Sequence, residues 1–297
     1  MNPGIPSIGL LDFCLDDEVN THQDQLKAAL YTAQHAEEHG CCSIWYGEHH
    51  QGAYQASPLV MASIALGHTS TISIGTGGIL ASYYSPLEIA NAAALLSCAY
   101  PDRFELGLAR GNPEATRKSL LWDKRIGEPA AEDFAQRVRA IQALLLTQPE
   151  PTVRSVPASA PPQMWLLGMN SLSATLAGEL GAGYCHAAFL RGSSSPTHAL
   201  QVYRQHFQAC HPAASPIAAL ALAVSSDRQN GKACINRFQH NPFFTANMTL
   251  PPAALAEELA ATAATYQLDR LVLLQAESSY MHRIATVEAI MEIWRKG

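Results

Sequence analysis

Three short stretches of this 297-residue sequence carry residue types able to do chemistry. Glu48-His49-His50 joins a carboxylate to two imidazoles, and an imidazole facing a pocket serves as acid or base near neutral pH. On an extended strand the two histidines point to opposite sides, so at most one of them faces a given pocket. Arg110 and the run Gly168-Met169-Asn170-Ser171-Leu172-Ser173 suit an anion. A guanidinium binds phosphate in bidentate fashion, and a helix N-terminus offers unpaired N–H groups at the positive end of its dipole. Blander readings stay open for each: Asn170 and Ser171 as plain helix caps, Arg110 paired with a carboxylate, and a strand-end histidine bonded to backbone. Gly77-Gly78 removes side chains from a strand end, which admits a flat ring against the backbone or merely a bulge. The third stretch, His35-Ala36-Glu37-Glu38-His39, matches the inverted zincin pattern H-x-x-E-H. Its helix, however, has Leu26, Ala29, Leu30 and Ala33 as apolar stripe, and both histidines fall roughly opposite. A solvated face or a subunit contact is the expectation there, and no metal.

The elements that must position these residues alternate from end to end. Apolar runs at 5–13, 42–48, 71–80, 104–109, 164–168, 184–189, 217–225 and 271–275 read as strands. Helical patterns follow them at 23–39, 58–68, 87–99, 131–146, 172–180, 196–210, 251–266 and 280–296. Pro58 and Pro86 sit where a helix tolerates a missing N–H, and Gly40 and Gly181 stop two others. The strands are hydrophobic throughout, as strands buried on both faces are. Eight strand–helix units favour an α/β (β/α)8 barrel over a doubly wound open sheet. In a barrel, functional groups belong at the C-terminal strand ends, which is where all the candidates except His35 and His39 fall.

The length would suit two domains, with the Pro/Ser-rich stretch 148–162 as linker. One barrel of about 250 residues accounts for it better, so residues 1–297 are read as a single domain with 148–162 as a surface loop. With 48% hydrophobic and 15% charged residues the chain is globular, and disorder is excluded. The net charge of −6 and the lack of a basic block argue against nucleic acid. No apolar run reaches the roughly 18 residues of a membrane span. Seven cysteines without a C-x-x-C pattern, and a poor signal sequence, point to a reducing cytoplasm.

Residues 43–50 (SIWYGEHH), 57–58 (SP), 74–79 (IGTGGI), 84–86 (YSP) and 103–111 (RFELGLARG) together resemble the bacterial luciferase-like flavin-dependent monooxygenases. Residues 165–168 (WLLG) and 173–181 (SATLAGELG) resemble the same family's phosphate-side turn and helix. The resemblance implies a luciferase-like TIM barrel that binds FMN, usually as FMNH2 delivered by a separate flavin reductase, and uses O2 on a small organic substrate. It implies His49 as acid/base beside the flavin, with Glu48, and Gly77-Gly78 as the surface under the isoalloxazine, often with a cis peptide. Arg110, Asn170, Ser171 and Ser173 become the phosphate grip, and a homodimer is expected. Trp45, Tyr83, Tyr84, His186 and Phe189 are candidates for the substrate pocket. Ala109 and Met169 replace a cysteine and an acidic residue of luciferase's catalytic subunit, and 226–250 is short for a lid, which argues against light emission. The lid role then passes to 110–129. Competing readings are a deazaflavin- or nicotinamide-linked reductase of the same fold and a non-catalytic flavin-binding or partner subunit.

Overall fold

A computed structural model describes residues 6–14, 21–50, 57–111, 131–146, 161–209, 214–229, 232–233 and 236–296. Most of the expected lid at 110–129, and most of the loop at 148–162, lie outside the described residues. Eight strands form the frame: β1 Ser7–Asp12, β2 Ser43–Tyr46, β3 Ser73–Thr76, β4 Phe104–Ala109, β5 Gln163–Gly168, β6 Gly183–Ala187, β7 Ala218–Ser225 and β8 Arg270–Gln275. Each pairs in parallel with the next, and β1 pairs with β8 in register Ser7↔Arg270 to close the barrel. The helices between them are α1 His22–Glu38, α2 Pro58–His68, α3 Pro86–Ala99, α4 Ala131–Leu146, α5 Ser171–Glu179, α6 Pro196–His206, α7 Pro252–Tyr266 and α8 Tyr280–Trp294. None is long and apolar enough to cross a membrane.

The absence of polar alternation in the strands has its reason in two separate apolar layers. Along β7, Ala218, Leu220, Leu222 and Val224 belong to the layer beneath the helices, while Ala219, Ala221 and Ala223 face the barrel interior. Along β1, Ile8 and Leu10 pack outward and Leu11 inward. Period-2 alternation survives as a change of side-chain size on β7 rather than of polarity.

The run 71–80, read as one strand, is broken. Ser73–Thr76 and the short strand Ile79–Leu80 flank Gly77-Gly78, whose peptide bond is cis. At the N-terminal end of the barrel, Arg270 donates two hydrogen bonds to Glu105, at 2.7 and 3.0 Å. Its guanidinium lies over the rings of Trp45 and Trp165, and the Trp45 indole N–H donates to Glu105 at 2.5 Å.

Helix α1 is covered on more than its apolar stripe, because a helix in the outer ring touches both the barrel and a neighbouring helix. His35 and His39 are half-buried against α8 instead of lying on a solvated face. Glu37, next along, receives the backbone N–H groups of Ser70, Thr71 and Ile72 at 2.5–3.0 Å and the Thr71 hydroxyl at 2.9 Å. It thereby ties α1 to the turn entering β3. Its partial burial alone would raise the pKa, but the four donors favour the ionised form more strongly and pull it down to about 2. A depressed carboxylate contributes stability that is present above its ordinary value near 4.5 and is lost as pH falls toward 2. Urea unfolding of Glu37→Gln is therefore expected to show a flatter stability profile between about pH 5 and pH 2 than the parent. Superimposable profiles would contradict the assignment.

Candidate active site

The C-terminal strand ends open into a cavity of about 900 Å³, within the range of small-molecule sites. Its wall takes Phe13 from the end of β1, Glu48, His49 and His50 from β2, and Gly77, Gly78 and Leu80 from β3 and its extension. Ala109, Arg110 and Gly111 follow β4, Leu167 to Asn170 end β5, and Leu172 and Ser173 open α5. Phe189 comes from the β6 side, and Pro242, Phe243 and Phe244 from the segment after β7.

Glu48 is buried and organises its surroundings. Its carboxylate accepts the Leu80 backbone N–H at 2.8 Å and the Tyr84 hydroxyl at 2.9 Å, and lies 2.5 Å from His50 Nε2. Burial, followed by the charge of Glu48, raises the Tyr84 pKa, so the phenol remains protonated as a donor. Strand β2 ends at Tyr46, and both His49 and His50 reach the cavity; the alternation expected of a strand ends too early to separate them. His49 sits among rings, with centroids 6.2 Å from Phe13 and 5.4 Å from both Phe243 and Phe244.

Opposite this aromatic group lies a polar one. Asn170 caps α5, its side-chain oxygen accepting from Leu172 N at 3.2 Å and Ser173 N at 3.4 Å, while the Ser173 hydroxyl donates to the Asn170 carbonyl at 3.0 Å. The cap and the cavity-facing helix end therefore coexist. Gly168 permits this start, since a Cβ there would stand 1.9 Å from Ser173 Oγ. Arg110 is exposed at the rim, joined by Arg139, which pairs with Glu179, and Arg191, which donates to the Asn241 carbonyl. Between the two groups lies the glycine floor. A Cβ on Gly78 would come within 3.0–3.1 Å of the backbone of residues 107–109, and one on Gly77 within 2.8 Å of Leu11 and Trp45.

Several expected site residues stand elsewhere. Trp45 is in the closed lower barrel, bonded to Glu105 and packed on Trp165, so it cannot line the pocket. Ser171 begins α5 but does not line the cavity. Tyr83 ends a 3-10 turn and the Tyr84 hydroxyl donates to Glu48, and neither is among the residues lining the cavity. His186 is fully buried, held by Ser194 O at 3.1 Å, Ser193 Oγ at 2.9 Å and Tyr184 OH at 3.0 Å. Burial lowers its pKa, partly offset by the Ser194 carbonyl. Phe13, Phe243 and Phe244 also line the cavity and are not marked by any sequence motif. The strand-end rule applied to β1 would have found Phe13, whereas nothing in the spacing of 226–250 announces that Phe243 and Phe244 fold back over the barrel.

A closed (β/α)8 barrel whose mouth opens into a cavity with a side-chain-free floor between a polar helix end and a ring-lined wall has the form of a small-molecule site. The chain belongs to the luciferase-like monooxygenase family, whose pattern matches residues 8–270, and it is a flavin-dependent monooxygenase. It is 28% identical to a luciferase-like monooxygenase of Escherichia coli K12 over 228 residues, 75% of this chain and 68% of that one. Its fold is similar to apo-MsnO8 (TM-score 0.84, 22% identity, 98% of each chain). It is also similar to the oxygenating constituent of Pseudomonas putida 3,6-diketocamphane monooxygenase, a structure in complex with FMN (TM-score 0.73, 13% identity, 97% of each chain).

Removing the Glu48 carboxylate leaves a buried backbone N–H and two side chains without their acceptor. Glu48→Ala is expected to cost about 3 kcal/mol in urea unfolding, and Glu48→Gln, which keeps an acceptor oxygen, clearly less. A loss under about 0.5 kcal/mol in the alanine variant would show that Glu48 is not the organising group.

Proposed function

We propose that this chain is an oxygenase that takes FMNH2 from a separate flavin reductase and, with O2, oxygenates a small, largely apolar organic substrate. The observation that carries this reading is the Gly77-Gly78 floor lying between the Arg110 and α5 side of the cavity and the His49–phenylalanine side. A flat tricyclic ring needs backbone without side chains beneath it, and its phosphate tail needs cations and donors at one end.

Bound reduced flavin would supply the electrons that activate O2. The protein's residues would do the rest. Arg110 and the Ser173 hydroxyl would hold the phosphate, with the N-terminal end of α5 adding its dipole. The Asn170 cap already occupies two of the helix's N–H groups, which puts more of the grip on Arg110. Phe13, Phe189 and Phe244 form a continuous set of ring contacts, joined to Phe243 through His49, that excludes water and suits an apolar substrate. His49, embedded in that set, would take or give a proton at its imidazole. Glu48 would act through its partners, fixing His50, Tyr84 and the Leu80 backbone.

Anaerobic titration of the protein with photoreduced FMN tests the binding side. Arg110→Ala is expected to weaken binding about 10- to 100-fold, the loss of a charge-assisted contact. His49→Ala is expected to hold affinity within about threefold while slowing incorporation of isotopically labelled O2 into a small-molecule panel by about 10²- to 10⁴-fold. Unchanged binding in Arg110→Ala would remove the phosphate assignment. Substrate turnover without O2 would replace the oxygenase with a reductase.

A further inference from the structure

We propose that His35, His39 and Glu288 form a binding site for a first-row divalent transition metal, with Zn2+ the fitting ion, which clips the first helix of the barrel to the last. The site is separate from the flavin cavity. It sits near the C-terminal end of α1, and because α1 runs opposite to the strands this places it toward the other end of the barrel.

One ligand atom from each of the three side chains lies within 4.8 Å of the other two. His39 Nε2 and Glu288 Oε1 are 3.6 Å apart. A triangle with sides of that length has its centre about 2.1 Å from each corner, a zinc–ligand distance, and since the other two sides are at most 4.8 Å, closing them takes shifts of about 1 Å. His35 and His39 are one helical turn apart with ring centroids separated by 4.0 Å, so both imidazoles stand on the same side of α1.

Two further observations point to a ligand. His39 Nδ1 is 3.0 Å from the His35 carbonyl; a ring N–H must be the donor there, so in the neutral ring Nε2 carries the free lone pair, aimed at Glu288. Such a carbonyl bond on the second nitrogen is the usual support of a metal-bound histidine. His35 Nε2 is buried and has no hydrogen-bond partner, a cost that a metal bond would remove. Water would complete the coordination beside the half-exposed Glu288. With α1 and α8 flanking the β1–β8 seam, a bound ion would resist opening of the barrel where the chain's two ends meet.

The test titrates chelator-treated full-length protein with ZnCl2 against a chromophoric chelator, and follows visible absorption with CoCl2. The parent is expected to bind one Zn2+ per chain, to give cobalt d–d bands, and to melt several degrees higher with Zn2+ in a way that EDTA reverses. Glu288→Gln and His39→Gln, both at partly exposed positions, are expected to weaken binding at least tenfold and to lose the melting shift while melting near the parent without metal. Absence of stoichiometric binding in the parent, or parent-like affinity in either variant, would overturn the site. Binding of reduced FMN is expected to be the same with and without Zn2+, so failure here leaves the flavin reading standing.

Discussion

A parallel barrel encloses a volume that side chains must fill, and here the filling is uneven from bottom to top. The lower half is closed by Trp45, Trp165, Glu105 and Arg270, locked together by two charge-assisted hydrogen bonds, an indole N–H and two guanidinium–ring contacts. Burial alone would lower the Arg270 pKa, but the Glu105 carboxylate more than reverses this, so the guanidinium stays charged. Such a pair adds little net stability compared with apolar packing, yet it joins β4 to β8 in one geometry. Higher up, Ala109, Ala187 and the Gly77-Gly78 backbone line the interior in place of larger side chains. The cavity is the volume these small residues leave open above a closed floor.

The division of that cavity follows from strand order. Strands β1 and β2 and the segment after β7 bring rings and His49 to one side, and β4 and β5 bring Arg110 and the start of α5 to the other. The Gly77-Gly78 segment lies between them because β3 sits between β2 and β4. Glu48 links the halves mechanically: it fixes the β2 end to Leu80, on the short strand that pairs with Leu108 and Ala109 of β4. The aromatic wall and the polar end are thus held by neighbouring strands, and a ligand spanning them meets preformed surfaces.

The eight-unit rhythm, the glycine pair and the strand-end positions of His49, Arg110 and Asn170 were legible in the sequence because each depends on local pattern. What escaped depends on contacts between distant segments. Glu105 and Arg270 are 165 positions apart, and no periodicity connects them. Trp45, near a strand end by sequence, points inward and downward because Glu105 offers its indole an acceptor. His49 and His50 share the cavity because the strand stops at Tyr46, two residues short of the expected run 42–48, so its alternation does not reach them. His35 and His39 looked solvated because a helical wheel marks one apolar stripe, whereas a barrel helix also rests on its neighbour. Each miss is a tertiary contact overriding a local pattern.

The proposed function requires a flavin lying across the glycine floor with its phosphate at Arg110 and the start of α5. A crystal structure of the protein with reduced FMN, grown anaerobically, tests this directly. The ring is expected against the Gly77–Gly78 backbone, with one edge toward His49 and the phosphate within hydrogen-bonding distance of Arg110 and Ser173. A phosphate bound on the Arg191 side, or a ring stacked on Phe243 and Phe244 away from the glycines, would contradict it.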